Sequence, residues 1–346
     1  MKVVCLNPAY STTRLLTTER QRFWDSHREA VGPNLHLPVS KNRKNEGGLR
    51  SEAYCKQGYI KNGDQWYACD TLRKEVEPVN LSIEVGGSVL PLITVVTVVF
   101  NGELHIEKTI ESVINQTYSN VEYIIIDGGS TDGTLEIIDK YENEIDYWIS
   151  EKDDGIYDAM NKAIELATGS WINFMNAGDI FYSRDTLETL FNADSWNNDD
   201  DIVYGNVHIR YPDFTRVEKA GKLSRLWSGM QFCHQSAIVK TSYHKSRKFN
   251  SRNRIAADLE FFYSSYKNGA RFRFEEIIMS SVSTGGLSES NRIKTIMSSR
   301  DAVCNSGCRR SVILFYMLLV IDVMFRGLLK KILPVRITNK IIQMKS

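Results

Sequence analysis

Residues 92–100 read LITVVTVVF, a continuous apolar and β-branched run that Asn101-Gly102 breaks off. A strand without a polar face has both faces covered, as in a parallel sheet packed between helices. Downstream, the spacing predicts a helix over 103–115 with Ile106, Ile110, Val113 and Ile114 on one face. VEYIIID (121–127) predicts a second buried strand, and GGSTDGT (128–134) turns into a helix carrying Leu135, Ile138 and Tyr141 on its inner side. IDYWIS (145–150) reads as a third strand, IYDAMNKAIELATG (156–169) as a third helix capped by Gly169, and WINFM (171–175) as a fourth strand. Strand and helix alternating at this spacing make βαβ crossovers, so the fold class is α/β with a mostly parallel central sheet flanked by helices. Ligands of such sheets sit outside the carboxyl ends of the strands, where Asn101, Asp127, the 151–155 loop and the 176–179 loop all fall. Beyond Asp179, DIVYGN (201–206) and CHQSAIVK (233–240) read as strands, and AADLEFFYSSYKNG (256–269) as a helix closing on Gly269.

The flanks differ from this middle. In residues 1–90, VVCL (3–6) reads as a short strand and TTERQRFWDSHREAV (17–31) as a helix. From Lys41 to Glu84 no period is sustained, so 1–90 reads as a loosely structured extension to a domain over 91–300. Residues 301–346 form a basic, apolar helical tail. From 307 onward eight basic residues face Asp322 alone, a net +7, which leaves −6 for 1–306 within a whole-chain charge of +1. The near-balance excludes a polyanion binder by bulk charge, and 42% hydrophobic with 25% charged residues excludes a disordered or fibrous chain. The six scattered cysteines include no CxxC pair and the N-terminus no long apolar segment, so reduced thiols in a cytoplasmic protein are expected.

Several residues at the sheet's carboxyl edge can carry chemistry. GGSTDGT matches neither the dinucleotide fingerprint nor the Walker phosphate loop, which argues against a nicotinamide enzyme and excludes a P-loop. Asp127 ends a buried strand, where a carboxylate is costly unless it meets donors or a ligand. Asp132 stands near a helix start and reads as a cap. Asp153 and Asp154 lie in a glycine-containing loop, with Tyr157 and Asn161 one turn apart on the helix that follows; Lys162 reads as a solvated lysine. Asp179 leaves the fourth strand either as a turn residue or as a single carboxylate for a divalent cation that keeps its waters. Asp258 opens an apolar helix, as a cap or as a general base tuned by burial. His234 reads as a structural histidine or as a metal ligand.

The phrases ITVVTVVFNG (93–102), SVINQTYSNVEYIIIDGGSTDGT (112–134) and WISEKDDGIYDAMNKAIELATGSWINFMNAGD (148–179), in that order, resemble the family 2 glycosyltransferases. Within that family they are similar to the bacterial branch that builds O-antigen and exopolysaccharide. The resemblance is continuous from about 91 to 182 and thinner through CHQ (233–235) and AADLEFF (256–262). It implies the Rossmann-like GT-A fold, a nucleotide-diphosphate-sugar donor, Mg²⁺ or Mn²⁺, and inversion at the anomeric carbon. By position it implies a nucleotide-sugar site at Val98, Phe100, Asn101, Asp127, Asp154, Tyr157, Asn161, Asn176 and Ala177, a metal site at Asp179 with His234, and Asp258 as catalytic base. The chain departs from the family's D-x-D motif, for NAGD (176–179) keeps only the last carboxylate.

The resulting expectation is an inverting glycosyltransferase that moves sugar to a hydroxyl of a lipid-linked glycan acceptor and binds no nucleic acid. The competing expectation is a catalytically inactive scaffold that binds nucleotide-sugar within a polysaccharide assembly complex. SVILFYMLLVIDVMFRGLLKKIL (311–333) is unbroken apolar from Val312 to Ile321, then meets Asp322, and the run to Phe325 is 14 residues. As a helix that is about 21 Å, too short to span a hydrocarbon core of roughly 30 Å. It reads either as a helix packed on the catalytic domain or as an interfacial helix. In the second case its basic residues hold the protein peripherally on the inner face of the plasma membrane.

Overall fold

The computed structural model describes residues 3–18, 23–24, 30–31, 34–62, 65–69, 78–79, 89–191, 199–285, 292–305 and 307–332. The four strands read from the sequence are β2 (Ile93–Val99), β3 (Val121–Asp127), β4 (Tyr147–Glu151) and β5 (Trp171–Phe174). They lie side by side in the order β5-β2-β3-β4, all parallel. Between them run α1 (Ile106–Ile114), α2 (Thr134–Lys140) and α3 (Ile156–Leu166). Alternate residues of the strands serve two cores. Val96, Val98, Ile124 and Ile126 pack with Met160, Ile164 and Phe262. On the other face, Ile93, Val95, Tyr123 and Ile125 pack with Ile106, Ile110, Val113 and Ile138. This two-sided burial is why the strands carry no polar alternation.

Antiparallel strands extend the parallel centre into a ten-stranded sheet. Beyond β5 come β9 (Ala237–Lys240), β7 (Ile202–Arg210), β10 (Phe272–Ser283) and β6 (Ile180–Phe181), with β8 (Thr215–Glu218) hairpinned onto β7. β7 and β10 are themselves parallel. The 12-residue β10 has no apolar alternation to announce it, its first half being half-exposed on both sides. Further along the chain come α4 (Thr186–Phe191), α5 (Thr241–Ser246) and α6 (Ala257–Lys267), the last followed by Gly269 at φ +80°. Gly169 does not cap α3, which ends at Leu166. It lies instead against β2, where a Cβ would sit 2.7 Å from the Leu92 carbonyl oxygen.

The extension is less loose than its composition suggests. β1 (Arg43–Gly47) pairs antiparallel with β4 and forms the outer edge of the main sheet. Arg50 follows it into the interior and meets Glu122 at 2.5 Å. Lys56 is buried beside Asp146, and burial lowers its pKa to about 8 while raising that of Asp146 to about 7. Of the strand expected over 3–6, only a bridge from Val4 to Leu16 forms. The helix expected over 17–31 is not seen at its described residues, where Phe23–Trp24 pairs with Ala30–Val31; its remaining residues from 19 onward lie outside the described set.

At the other end, α7 (Arg292–Asn305) and α8 (Arg310–Ile332) pack against each other and the catalytic domain. Cys304 and Cys308 are joined in a disulfide across their elbow, which corrects the expectation of reduced thiols throughout. Among the described residues, no helix is long and apolar enough to cross a membrane.

Candidate active site

The carboxyl ends of β2 and β3 build the first part of the site. Asp127 is fully buried. Its Oδ2 accepts from the backbone N–H groups of Gly129 at 3.0 Å and Ser130 at 2.9 Å and from Ser150 Oγ at 2.6 Å, while Ser130 Oγ donates to Oδ1. The loop that supplies these donors needs its glycines. Gly129 sits at φ +86°, and a Cβ on Gly128 would meet the Asp153 carboxylate at 2.6 Å. Asn101, itself at φ +51°, ties the ends together: its N–H donates to Ser130 Oγ at 2.7 Å and its Oδ1 accepts from Thr131 N–H at 2.9 Å. Asp132 accepts from Thr134 N–H at 3.1 Å, the start of α2, as a capping residue does. Val98 is buried and its carbonyl accepts from Ala177 N–H at 3.2 Å, whereas Phe100 stands 64% exposed at the mouth of this edge.

The 176–179 turn follows β5 to the same edge. Gly178 takes φ +99°, Asp179 N–H closes the turn on the Asn176 carbonyl at 2.9 Å, and Thr109 braces it from α1. Asp179 Oδ2 accepts from Gln235 Nε2 at 2.7 Å. Burial raises its pKa to about 7, against the downward pull of Gln235 and Arg210. Arg210 lies over the turn, donating from Nη2 to the Gly178 carbonyl at 2.6 Å. Asn176 Oδ1 is shielded from solvent and has no hydrogen-bond partner.

Asp258 occupies the first turn of α6, held by Tyr157 Oη at 3.0 Å and Leu259 N–H at 2.8 Å. Burial raises its pKa, more than these donors lower it. Cys233 links the two carboxylates: burial and the negative charges of Asp179 and Asp258 push its thiol up to about 12, and its Sγ donates to Gln235 Oε1 at 2.9 Å. The CHQ turn thus lies within electrostatic reach of both Asp179 and Asp258.

Some sequence expectations do not fit this geometry. Asn161 does not face the cleft, because both ends of its amide are taken by the main chain of Phe249, at 2.9 and 3.0 Å. Tyr157 points at Asp258 rather than at the Asp127 loop. Asp154 is exposed, with its N–H on Asp158. Lys162 is not merely solvated, since it pairs with Glu151 at 2.8 Å. His234 packs among Phe174, Phe249 and Phe262 in an aromatic pocket, where burial lowers its pKa to about 4. Among the described residues, no group of three or more His, Cys, Asp and Glu side chains could hold a metal ion. Asp179 and the unpartnered Asn176 Oδ1 nonetheless suit a hard cation that completes its shell with water and phosphate oxygens. Gln235, Arg210 and Ser150 were missed, since each reaches the site from another strand or loop; Ser130 was missed although it lies three residues after Asp127 in the GGSTDGT turn. The CHQ triplet carried a local signal for Gln235.

Residues 94–275 match the model of the family described as Glycosyl transferase family 2. The chain is 31% identical over 204 residues to the "PGL/p-HBAD biosynthesis glycosyltransferase" of Mycobacterium bovis (strain BCG / Pasteur 1173P2), covering 57% of this chain and 79% of that one. It is 28% identical over 193 residues to "Glycosyltransferase GlyG" of Streptococcus pneumoniae serotype 4, covering 52% and 62%. Among solved structures, the mannosyltransferase PcManGT from Pyrobaculum calidifontis, in complex with GDP-Man and Mn²⁺, aligns with a TM-score of 0.48 at 18% identity, over 66% of this chain and 69% of that one. The family match spans more than half of the chain and contains the Asp127 loop, the 176–179 turn and Asp258. With its helix-flanked, centrally parallel sheet of the GT-A type, this chain belongs to glycosyl transferase family 2.

Proposed function

We propose that the protein is an inverting transferase acting between a nucleotide-diphosphate-sugar and a hydroxyl of a lipid-linked glycan, in the synthesis of a cell-surface polysaccharide of the O-antigen or exopolysaccharide kind. The observation that carries the reading is Asp258: a carboxylate with its pKa raised by burial and its orientation held by Tyr157, at the start of the helix α6. A general base works best when its pKa lies near the operating pH. The acceptor oxygen attacks the anomeric carbon, its proton passes to Asp258, and the bond from that carbon to the phosphate oxygen breaks to release a nucleoside diphosphate. One displacement inverts the centre, and no second nucleophilic carboxylate is required. The Asp127–Ser130 loop and Asn101 receive the nucleoside, with Phe100 and Ala177 at the rim. Asp179 and Asn176 would hold Mg²⁺ or Mn²⁺, and the cation when bound would supply positive charge opposite the departing diphosphate. Nucleotide release from a panel of UDP-, GDP- and dTDP-sugars, with and without Mn²⁺, tests the reading. Donor binding with neither hydrolysis nor transfer to any acceptor would favour the scaffold alternative instead.

We further infer peripheral contact with the cytoplasmic leaflet of the membrane. One face of α8 is committed to the catalytic domain through Val312, Phe315, Tyr316 and Leu319, with Tyr316 Oη donating to the Trp227 carbonyl at 3.1 Å. The opposite face leaves Leu314, Met317, Leu318, Ile321, Met324 and Phe325 exposed. An exposed apolar helix face followed by a basic segment suits an anionic lipid surface. The Cys304–Cys308 disulfide precedes α8 and is not part of this exposed face. Flotation with anionic vesicles at low salt, lost on Leu314→Gln with Leu318→Gln, supports this contact; a full-length protein that fails to float refutes it.

A further inference from the structure

We propose that Lys44, supplied by the N-terminal extension, is a positioning residue for the donor nucleotide. This rests on the reading of the Asp127 loop as the nucleotide site. The ladder between β1 and β4 pairs Asn45 with Ser150 and Arg43 with Glu151, so its register shifts at that point and Lys44 is left without an opposite residue. Such a bulge turns a side chain out of the regular alternation, and bulges gather beside functional sites. Here the redirected ammonium reaches the carbonyl oxygens of Gly129 and Ser130, each at 2.9 Å. These are the two residues whose N–H groups bind Asp127. The loop is therefore gripped from both sides, its donors turned to a carboxylate and its acceptors to a cation.

The charge of Lys44 is placed differently from that of its neighbours. Arg43 is matched to Glu46 and Glu151, and Lys162 to Glu151 and Asp158. No ion pair is recorded for Lys44 among the described residues; its two recorded partners are neutral carbonyls and it is exposed. An ammonium has three N–H donors, so one remains beyond those two. A positive charge left uncompensated beside the loop favours an anionic ligand and holds the loop in its binding shape before that ligand arrives.

The test is nucleotide affinity in the full-length protein, measured by calorimetry with UDP, GDP and dTDP, together with kinetics on whichever donor turns over. Lys44→Met keeps the aliphatic stem and removes the charge. It should raise the nucleotide Kd and the donor KM about tenfold, the effect of losing roughly one charge-assisted bond, with kcat at saturating donor within about twofold and Tm unchanged. Lys44→Arg, which keeps the charge and can fork two carbonyls, should recover most of the loss. Unchanged affinity in Lys44→Met overturns the proposal, as does a loss confined to kcat or one that Lys44→Arg fails to reverse. If wild-type protein binds none of the three nucleotides, the donor-site reading falls and the role of Lys44 with it; binding that Lys44→Met retains refutes Lys44 alone.

Discussion

Glu122, buried near the amino ends of the parallel strands, and Asp179, half-buried beyond their carboxyl ends, are carboxylates that their surroundings treat in opposite ways. Burial alone would raise the pKa of Glu122, but Arg50, Thr168 and Thr94 outweigh it and hold the pKa below the ordinary value. Thr94 Oγ1 donates at 2.6 Å and Thr168 N–H at 2.9 Å, so every lone pair has a donor and a full counter-charge stands at 2.5 Å. Asp179 has Gln235 as its side-chain donor, and burial wins, taking its pKa to about 7. The lower edge is saturated, as a structural ion pair must be. Asp179 is under-supplied, and carboxylates with pKa raised in a cleft are characteristic of sites that meet a ligand or move a proton.

The largest effect should come from breaking the carboxyl edge at its base. Asp258→Asn should lower transfer by about 10²–10⁴-fold, because an amide cannot take the hydroxyl proton, and leave nucleotide affinity near wild type. Retention of more than about half the activity in a folded variant would remove Asp258 from that role. At the opposite edge, Arg50→Met strands Glu122 without its counter-ion. Denaturant unfolding should report a loss of about 3–5 kcal/mol, and a loss under about 1 kcal/mol would mean that the threonines suffice. The same variant should not alter the donor KM of the protein that remains folded.

Smaller effects sharpen the contrast. Asp127→Ala should weaken nucleoside diphosphate binding by roughly tenfold or more, with or without Mn²⁺, since its donors belong to the protein and not to a cation. Asp179 should instead reveal itself through pH. Its proton must leave before a cation binds, so Mn²⁺-supported donor binding should strengthen by about tenfold from pH 6 to pH 8, and Asp179→Asn should abolish both the binding gain and its pH dependence. The sign for stability is the reverse. With a native pKa near 7 against an ordinary 3.8, the folded state holds the proton more tightly. The contribution of this group is therefore greatest at low pH and declines as pH rises through that interval. Last, Tyr157→Phe removes a donor that lowers the Asp258 pKa. The rate should fall only several-fold, by about 1 kcal/mol, and the acid limb of its pH profile should move to higher pH. A shift to lower pH would show that Tyr157 does not stabilise the ionised base.

The parallel centre was legible because its signal is local. A strand covered on both faces must be apolar throughout, so β2 and β3 announce themselves, and the loops after them must lie at the carboxyl edge. Asp127, Asp179 and Asp258 could be read for the same reason, each standing at the end of a strand or the start of a helix. β10 and β1 escaped the reading. Edge and half-exposed strands need no period in their side chains, and β1 is recruited by the open flank of β4 rather than by its own composition. Asn161 was misread and His234 was left between two readings through a related gap, since whether a polar side chain serves the backbone, an aromatic pocket or a ligand depends on its neighbours across the fold.

The sequence by itself determined the α/β order and the sheet edge at which Asp127 and the 176–179 turn lie. Periodicity and strand termini are properties of consecutive residues, and no distant contact is needed to read them. The tertiary structure decided how each carboxylate is supplied: four donors for Asp127, a full ion pair for Glu122, and a deficit for Asp179 and Asp258. It also decided that Lys44, 85 residues before Gly129, would lie against the loop it grips. Donor count and burial are set by residues far apart in the chain, and they fix whether a buried acid is held charged, kept near neutrality or left ready for a ligand.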